Sequence, residues 1–230
     1  MPATTTQPLH EKYSLRAPRE YKNYVDGEWV QSKSGKTFDD INPANSDDQV
    51  GTFQESNADD VRGAVDAAER AYKTWRLVPA PKRAEYLYRV GAILQRDKET
   101  IAREMTREMG KVLEETKGDV QEAIDMAFLM AGEGRRLFGV TTPSELPNKF
   151  NMAVRMPMGI AGLITPWNFP MAMGTRKIGP AIAAGCTMVM KPAQQTPLSM
   201  HALAAILAEV GLPDGVLNLV TTSDAGAAPR

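Results

Sequence analysis

Two hydrophobic rhythms divide the chain, and they change over near residue 150. Short apolar-aromatic runs flank Asp26-Gly27 in YKNYVDGEWV, a pairing that predicts a β-hairpin. FDDINPANSDDQVGTF predicts strand, turn, strand, with Asn42-Pro43 and Asn45-Ser46 supplying the turn. Helical spacing follows. Asn57 is the expected N-cap of a first helix, with Asp59 and Asp60 in its first turn. Val61, Ala64, Val65, Ala68, Ala71, Tyr72 and Trp75 recur along it. A second helix begins near Pro81 and presents Tyr86, Leu87, Val90, Ile93 and Leu94 on one face. A third runs from about Lys98 to Gly110, and a fourth from about Glu114 to Phe138, stopped by Gly139. The charged faces of these helices are expected to be solvated.

After an extended segment, FNMAVRMPMG, short apolar runs and helices alternate. GIAGLIT (159–165), CTMVMKP (186–192) and GVLNLVT (215–221) have the length and near-continuous apolarity of buried parallel strands. NFPMAMGTRKIGPAIAAG (168–185) and PLSMHALAAILAEV (197–210) supply the helices between them, the second ended by Gly211 and Pro213. The pattern is βαβαβ, an α/β architecture with a parallel sheet and right-handed crossovers. Ligands of such sheets bind beyond the carboxyl ends of the strands. That rule selects TPWNFP (165–170), KPAQQTP (191–197) and the segment after Val220. The third strand is expected to leave an open sheet edge.

Composition narrows the classes. At 230 residues, 43% hydrophobic and 24% charged, the chain can bury a core without staples. A net charge of -1 gives no reason to expect a nucleic-acid partner. No apolar run approaches the roughly 18 residues that a membrane span requires. The polar start, MPATTTQPLHEKYSLRAPRE, has no signal-peptide character. With a single cysteine there is no intramolecular disulfide. A cytoplasmic location is the expectation that fits these features.

Candidate chemistry is sparse. Neither G-x-G-x-x-G nor G-x-x-x-x-G-K-[ST] occurs. His10 and His201 are far apart in sequence, so no metal site is expected. Lys191, at the end of the second strand, is a donor suited to ribose or phosphate, or else an exposed lysine capping the strand. Asn168, in a Pro-flanked turn, is a rigid oxyanion donor or an asparagine serving its own turn. Cys186 opens an apolar strand, where a buried, inert thiol is expected. Met156, Met158, Met171, Met173, Met188 and Met190 are expected to fill the core.

The run ITPWNFPMAMGTRKIGPAIAAGCTMVMKPAQQTP resembles the aldehyde dehydrogenase superfamily, and within it the succinate-semialdehyde dehydrogenases. The likeness reaches back through NYVDGEW, INPA, the AAxxAYxxW helix (67–75) and REMGK (107–111), and forward through EVGLPDGVLNLVT. It implies a variant Rossmann cofactor domain without the glycine fingerprint, preceded by a β-hairpin and a helical region and truncated before the catalytic domain. Its divisions would be a flexible arm (1–20), the hairpin and helical part (21–146), an oligomerisation-arm segment (147–157) and an incomplete βαβαβ core (158–230). The resemblance makes Asn168 the oxyanion donor. It puts Thr165, Pro166, Trp167, Asn168, Lys191, Pro192, Ala193 and Gln194 along the cofactor, and Arg176 on the distal carboxylate of the substrate. A homo-oligomer is implied as well.

Two departures matter. Many NAD-preferring members carry Glu where this chain has Gln194. A neutral amide does not repel a 2′-phosphate, so of NADP and NAD the first is expected to be preferred, with Lys191 as its phosphate partner. The family's general base and nucleophilic cysteine match positions beyond Arg230, and Cys186 matches neither. The expected activity, in a complete enzyme, is NAD(P)-dependent oxidation of an aldehyde to a carboxylic acid, with succinate semialdehyde as the substrate. The 230-residue chain alone is expected to be a fragment, inactive towards aldehydes. The competing expectations are a non-catalytic nucleotide-binding or interaction protein on the same half-fold, and a truncated pseudogene product.

Overall fold

A computed structural model describes residues 20–224. The arm expected over residues 1–20 lies outside these except for Glu20, which opens the first strand. The strands are β1 (Glu20–Tyr21), β2 (Asn23–Val25), β3 (Glu28–Val30), β4 (Thr37–Ile41) and β5 (Gln49–Gln54), then β6 (Val140–Pro143), β7 (Phe150–Ala153), β8 (Ile160–Ile164), β9 (Thr187–Lys191) and β10 (Leu217–Leu219). The helices are α1 (Ala58–Trp75), α2 (Ala80–Arg96), α3 (Lys98–Met109), α4 (Leu113–Glu133), α5 (Pro170–Ala184) and α6 (Pro197–Glu209).

The expected βαβαβ unit is present, with β8, β9 and β10 parallel in that order. The open edge, however, is not at β10. The N-terminal hairpin pairs with it: β2 runs antiparallel to β10 through Tyr24 and Leu219, giving the order β3-β2-β10-β9-β8. Side chains reinforce the join. Asn218 accepts from the Asp26 N–H at 3.0 Å, and Asn23 accepts from the Thr221 N–H at 3.1 Å. The hairpin turn needs left-handed backbone at Asp26 (φ 54°) and Gly27 (φ 84°), as an Asp-Gly pair provides. Among the described residues the edge strands of this sheet are β3 at one side and β8 at the other, where Ile164 is 64% exposed.

Alternation along the strands fills both faces of this sheet. Val189 and Val220 pack on Ala64 and Ala68 of α1. Met188, Met190, Leu217 and Leu219 point the other way, into the main core with Met171, Ile178 and Ile182 of α5 and Met200, Leu203 and Ile206 of α6. Helices α2 and α4 extend that core through Leu87, Val90, Leu94, Ala123, Ile124 and Ala127. A second sheet, β1-β5-β4, buries Phe53 at its centre.

Several helix signals hold. Asn57 caps α1 in a full capping box with Asp60, and Gly110 ends α3 in the left-handed region (φ 78°). Others are corrected. Helix α4 ends at Glu133, five residues before the expected end at Phe138, and residues 134–139 form turns and irregular chain. The segment expected as a lone extended piece is one arm of an antiparallel hairpin, β6 against β7, whose strand residues are all exposed. Met156 and Met158 follow it at 71% and 97% exposure, so they are surface residues and not core filling. Nor are all helical charges solvated. Arg83, Glu108 and Asp119 are buried, because each satisfies backbone groups of another element.

Candidate functional site

The two loops chosen by the strand-end rule lie side by side. Thr165, directly after β8, donates its N–H to the carbonyl of Lys191, the last residue of β9, at 3.3 Å. Each loop then enters a helix through a proline at the first turn, Pro170 in α5 and Pro197 in α6. The loops are thus held at one end by the parallel ladder and at the other by buried helix starts.

The first loop carries an open pocket of about 360 Å³, lined by Glu122, Pro166, Asn168, Phe169, Met173 and Arg176. Asn168 and Arg176, singled out separately from the sequence, face the same space. Asn168 is exposed and Trp167, before it, is 57% exposed. The turn is braced from α4 and the loop before it. Lys111 donates from Nζ to the Asn168 carbonyl at 2.9 Å and sits 3.6 Å from the centre of the Phe169 ring. Asp119, fully buried, accepts from the Ala172 N–H at 2.7 Å through Oδ1, capping the first turn of α5. Burial raises its carboxyl to about 6, against the pull of that hydrogen bond and of Lys111. Glu122, one turn further along α4, accepts from Arg176 Nη2 at 2.7 Å.

At the end of β9, Lys191 is half-buried and its Nζ donates to the Pro192 carbonyl at 3.1 Å. Burial lowers its ammonium pKa, and the nearby Glu55 carboxylate acts in the opposite sense. Pro192 is buried, Ala193 half-buried and Gln194 exposed, in a turn closed by Thr196 N–H to Ala193 carbonyl at 3.2 Å. Glu55 comes from the other side of the site. It binds the N–H groups of Ser223 and Asp224 at 2.9 and 3.1 Å and the hydroxyl of Thr222 at 2.6 Å. Partial burial pushes the Glu55 carboxyl up, but these bonds outweigh it and leave the pKa lowered. Lys191 and Gln194 do not line the pocket that holds Asn168 and Arg176, so the site has two compartments on adjacent loops.

The remaining chemical candidates are structural. Cys186 is buried and precedes β9, at the opposite end of the strand from Lys191. His201 is buried with Nδ1 on the Pro197 carbonyl and Nε2 on the Lys22 carbonyl, both at 2.9 Å, and burial lowers its pKa. Among the described residues no His, Cys, Asp or Glu cluster could hold a metal. No described helix is long and apolar enough to cross a membrane. Sequence reasoning missed Glu55, Lys111, Asp119 and Glu122. The one available signal was Asp119, a charged residue on the same helical stripe as Thr116, Val120 and Ala123, all buried.

Comparison with known proteins gives this geometry a lineage. The aldehyde dehydrogenase family model matches residues 29–229. The succinate-semialdehyde dehydrogenase [NADP(+)] GabD of Escherichia coli (strain K12) is 45% identical over 203 residues, which is 88% of this chain and 42% of that protein. The glutarate-semialdehyde dehydrogenase of Pseudomonas putida is 42% identical over 200 residues, 87% of this chain and 42% of its own length. Among solved structures, an E. coli NADP-dependent enzyme superposes with a TM-score of 0.87 at 43% identity, over 90% of this chain and 43% of that one. An NAD-dependent aldehyde dehydrogenase from Sinorhizobium meliloti gives a TM-score of 0.88 at 33% identity, over 96% and 45%. The chain therefore spans about two fifths of the length of the curated relatives it matches. On the match across residues 29–229 and the shared fold, the chain belongs to the aldehyde dehydrogenase family.

Proposed function

We propose that this chain forms the cofactor-binding part of an NAD(P)-dependent aldehyde dehydrogenase acting on a semialdehyde with a distal carboxylate, succinate semialdehyde being the reference substrate. The observation that carries the reading is the shared pocket of Asn168 and Arg176. A side-chain amide on a braced turn suits an oxyanion that develops as a thiolate adds to an aldehyde carbon. The guanidinium six residues into α5 suits the carboxylate at the far end of the same molecule. Relatives named for succinate and glutarate semialdehydes support that substrate class.

A nicotinamide cofactor accepts the hydride in this chemistry. In our reading Lys191, Pro192, Ala193 and Gln194 hold its adenosine end, and Thr165, Pro166 and Trp167 lie along it. The half-buried ammonium of Lys191 suits ribose hydroxyls or a 2′-phosphate, and Gln194 tilts the choice towards NADP. Neighbours named for both cofactors support a nicotinamide dinucleotide in general. The exposed hairpin β6/β7, with Phe150 at 74% and Met152 at 64%, supports subunit pairing through this arm.

No described thiol reaches the pocket, so the 230-residue polypeptide by itself is expected to lack turnover. The cofactor half is testable on the chain as it stands. Titration with NADP and NAD, followed by the fluorescence of exposed Trp167, should give saturable binding that is tighter for NADP and weakened roughly tenfold by Lys191→Ala. Absence of saturable binding by either dinucleotide would refute the reading. The same preparation, given succinate semialdehyde and either dinucleotide, should produce no sustained NAD(P)H.

A further inference from the structure

The pocket that receives the far end of the substrate holds an ion pair and not a lone cation. Arg176 uses only Nη2 on Glu122, at 2.7 Å, while its Nη1 faces the Met173 sulfur at 3.9 Å. Both side chains of the pair are 45% exposed and both line the pocket. Among the described residues, the only charged side chains lining the pocket are thus opposite in sign and paired with each other.

A substrate whose far end is only a carboxylate can use Arg176, but it has to share that residue with Glu122. It must either displace Glu122 from Arg176 or rest beside a like charge on Glu122, and in both cases it adds an uncompensated negative charge. A far end bearing an ammonium next to a carboxylate meets neither penalty. Its carboxylate can take the N–H donors of Arg176 that Glu122 leaves unused, and its ammonium can take the second Glu122 oxygen. The Arg176–Glu122 bond need not break.

We infer that the Glu122–Arg176 pair favours a zwitterionic far end, so that an α-amino-acid semialdehyde is taken in preference to one ending in a carboxylate alone, such as succinate semialdehyde. Glu122 is then a specificity-determining residue that reads the ammonium, and Arg176 reads the carboxylate. The inference rests on the aldehyde dehydrogenase reading only for the word semialdehyde. The recognition of the far end stands on the pocket alone.

Inert probes separate the two. Butanoate carries the carboxylate alone, and L-2-aminobutanoate adds the ammonium beside it. Each is titrated into the 230-residue protein while the Arg176 Nε–H and Asn168 amide resonances are followed by NMR. The wild-type protein should bind L-2-aminobutanoate roughly tenfold more tightly than butanoate. Glu122→Gln, which keeps the shape and removes the charge, should abolish that preference and tighten butanoate. Arg176→Ala, followed at the Asn168 amide, should weaken both. Equal binding of the two probes by the wild-type protein, or a preference that survives Glu122→Gln, would overturn the inference. If the preference is found but no enzyme form containing these residues oxidises any aldehyde, the far-end recognition stands and the dehydrogenase reading fails.

Discussion

Glu108 in α3 is bound by Ser199 at the start of α6, ninety-one residues away, through both the Ser199 hydroxyl at 2.6 Å and the Ser199 N–H at 3.2 Å. The Leu198 N–H adds a third bond to the same carboxyl. The buried acid thus caps α6 directly behind the loop that carries Lys191 and Gln194. Glu108→Ala would leave these donors without partners in a dry site and is expected to cost about 2–4 kcal/mol. Glu108→Gln keeps an acceptor and should cost about 1 kcal/mol. Denaturant unfolding of the two variants checks this; equal losses would mean that packing, and not the cap, makes Glu108 important.

Between about pH 8 and pH 6.5 the protein should become more stable as the pH falls. Burial raises Asp40 and Glu104 to about 7 and Asp119 to about 6, and raises Glu108 well above the carboxylate range with help from the Asp40 charge. Arg107 pulls Asp40 and Glu104 back only in part. Each folded pKa lies above its unfolded value, so the native state holds protons that the unfolded chain releases. Their stabilising contribution is complete below about pH 4 and is lost as pH rises through 6 to 7. His201 opposes them below about pH 6.5, because burial lowers its pKa. The melting temperature should therefore rise as the buffer goes from about pH 8 to about pH 6.5. Glu104→Gln should flatten that slope. A melting temperature that falls over this range contradicts the assignment.

Arg176 makes a selective prediction. In an active enzyme carrying this segment, Arg176→Ala should lower kcat/KM for succinate semialdehyde roughly ten- to a hundredfold, by loss of a charge-assisted bond of about 1.5–3 kcal/mol. Butanal, with no distal charge, should be nearly unaffected. Equal loss on both aldehydes would make Arg176 a partner of Glu122 for stability alone.

Gln194 is exposed beside the Lys191 turn, so its side chain can change without disturbing the core. Gln194→Glu should shift preference from NADP towards NAD by at least about tenfold, because a carboxylate repels the 2′-phosphate and bonds the ribose hydroxyls. The ratio of dissociation constants for the two dinucleotides measures it. An unchanged ratio would show that this residue does not contact the ribose.

What was legible in the sequence was local. The Asp26-Gly27 hairpin, the Asn57 cap, the Gly110 stop and the three parallel strands each follow from short-range patterns, and each is present. Asn168, Arg176 and Lys191 were singled out from their places at strand ends and from the family pattern, and the first two line one pocket while the third does not. The misses are non-local. Nothing in NYV says that it will pair with LNL, because the partner lies nearly the whole chain away. Lys111 lies in an ordinary interhelical loop and Asp119 and Glu122 in an ordinary helix, and only the packing of α4 on α5 brings them to the Asn168 pocket. The early end of α4 was missed because Leu137 and Phe138 continue an apolar spacing, although Phe138 is 69% exposed and Leu137 36%.

The join of β2 to β10 also sets an order of events during synthesis. Tyr24 pairs with Leu219, so the hairpin emerges 195 residues before its sheet partner exists (219 − 24). At ribosomal rates of roughly 5–20 residues per second, that interval is about 10–40 seconds. During it the strand that will fill a central position of the sheet has only β3 to pair with, and an isolated two-stranded hairpin is marginal in water. The nascent chain must therefore carry Tyr24 and Trp29 uncovered until β9 and β10 have been made. That makes this half of the fold slow to close, with an aromatic segment uncovered in the meantime.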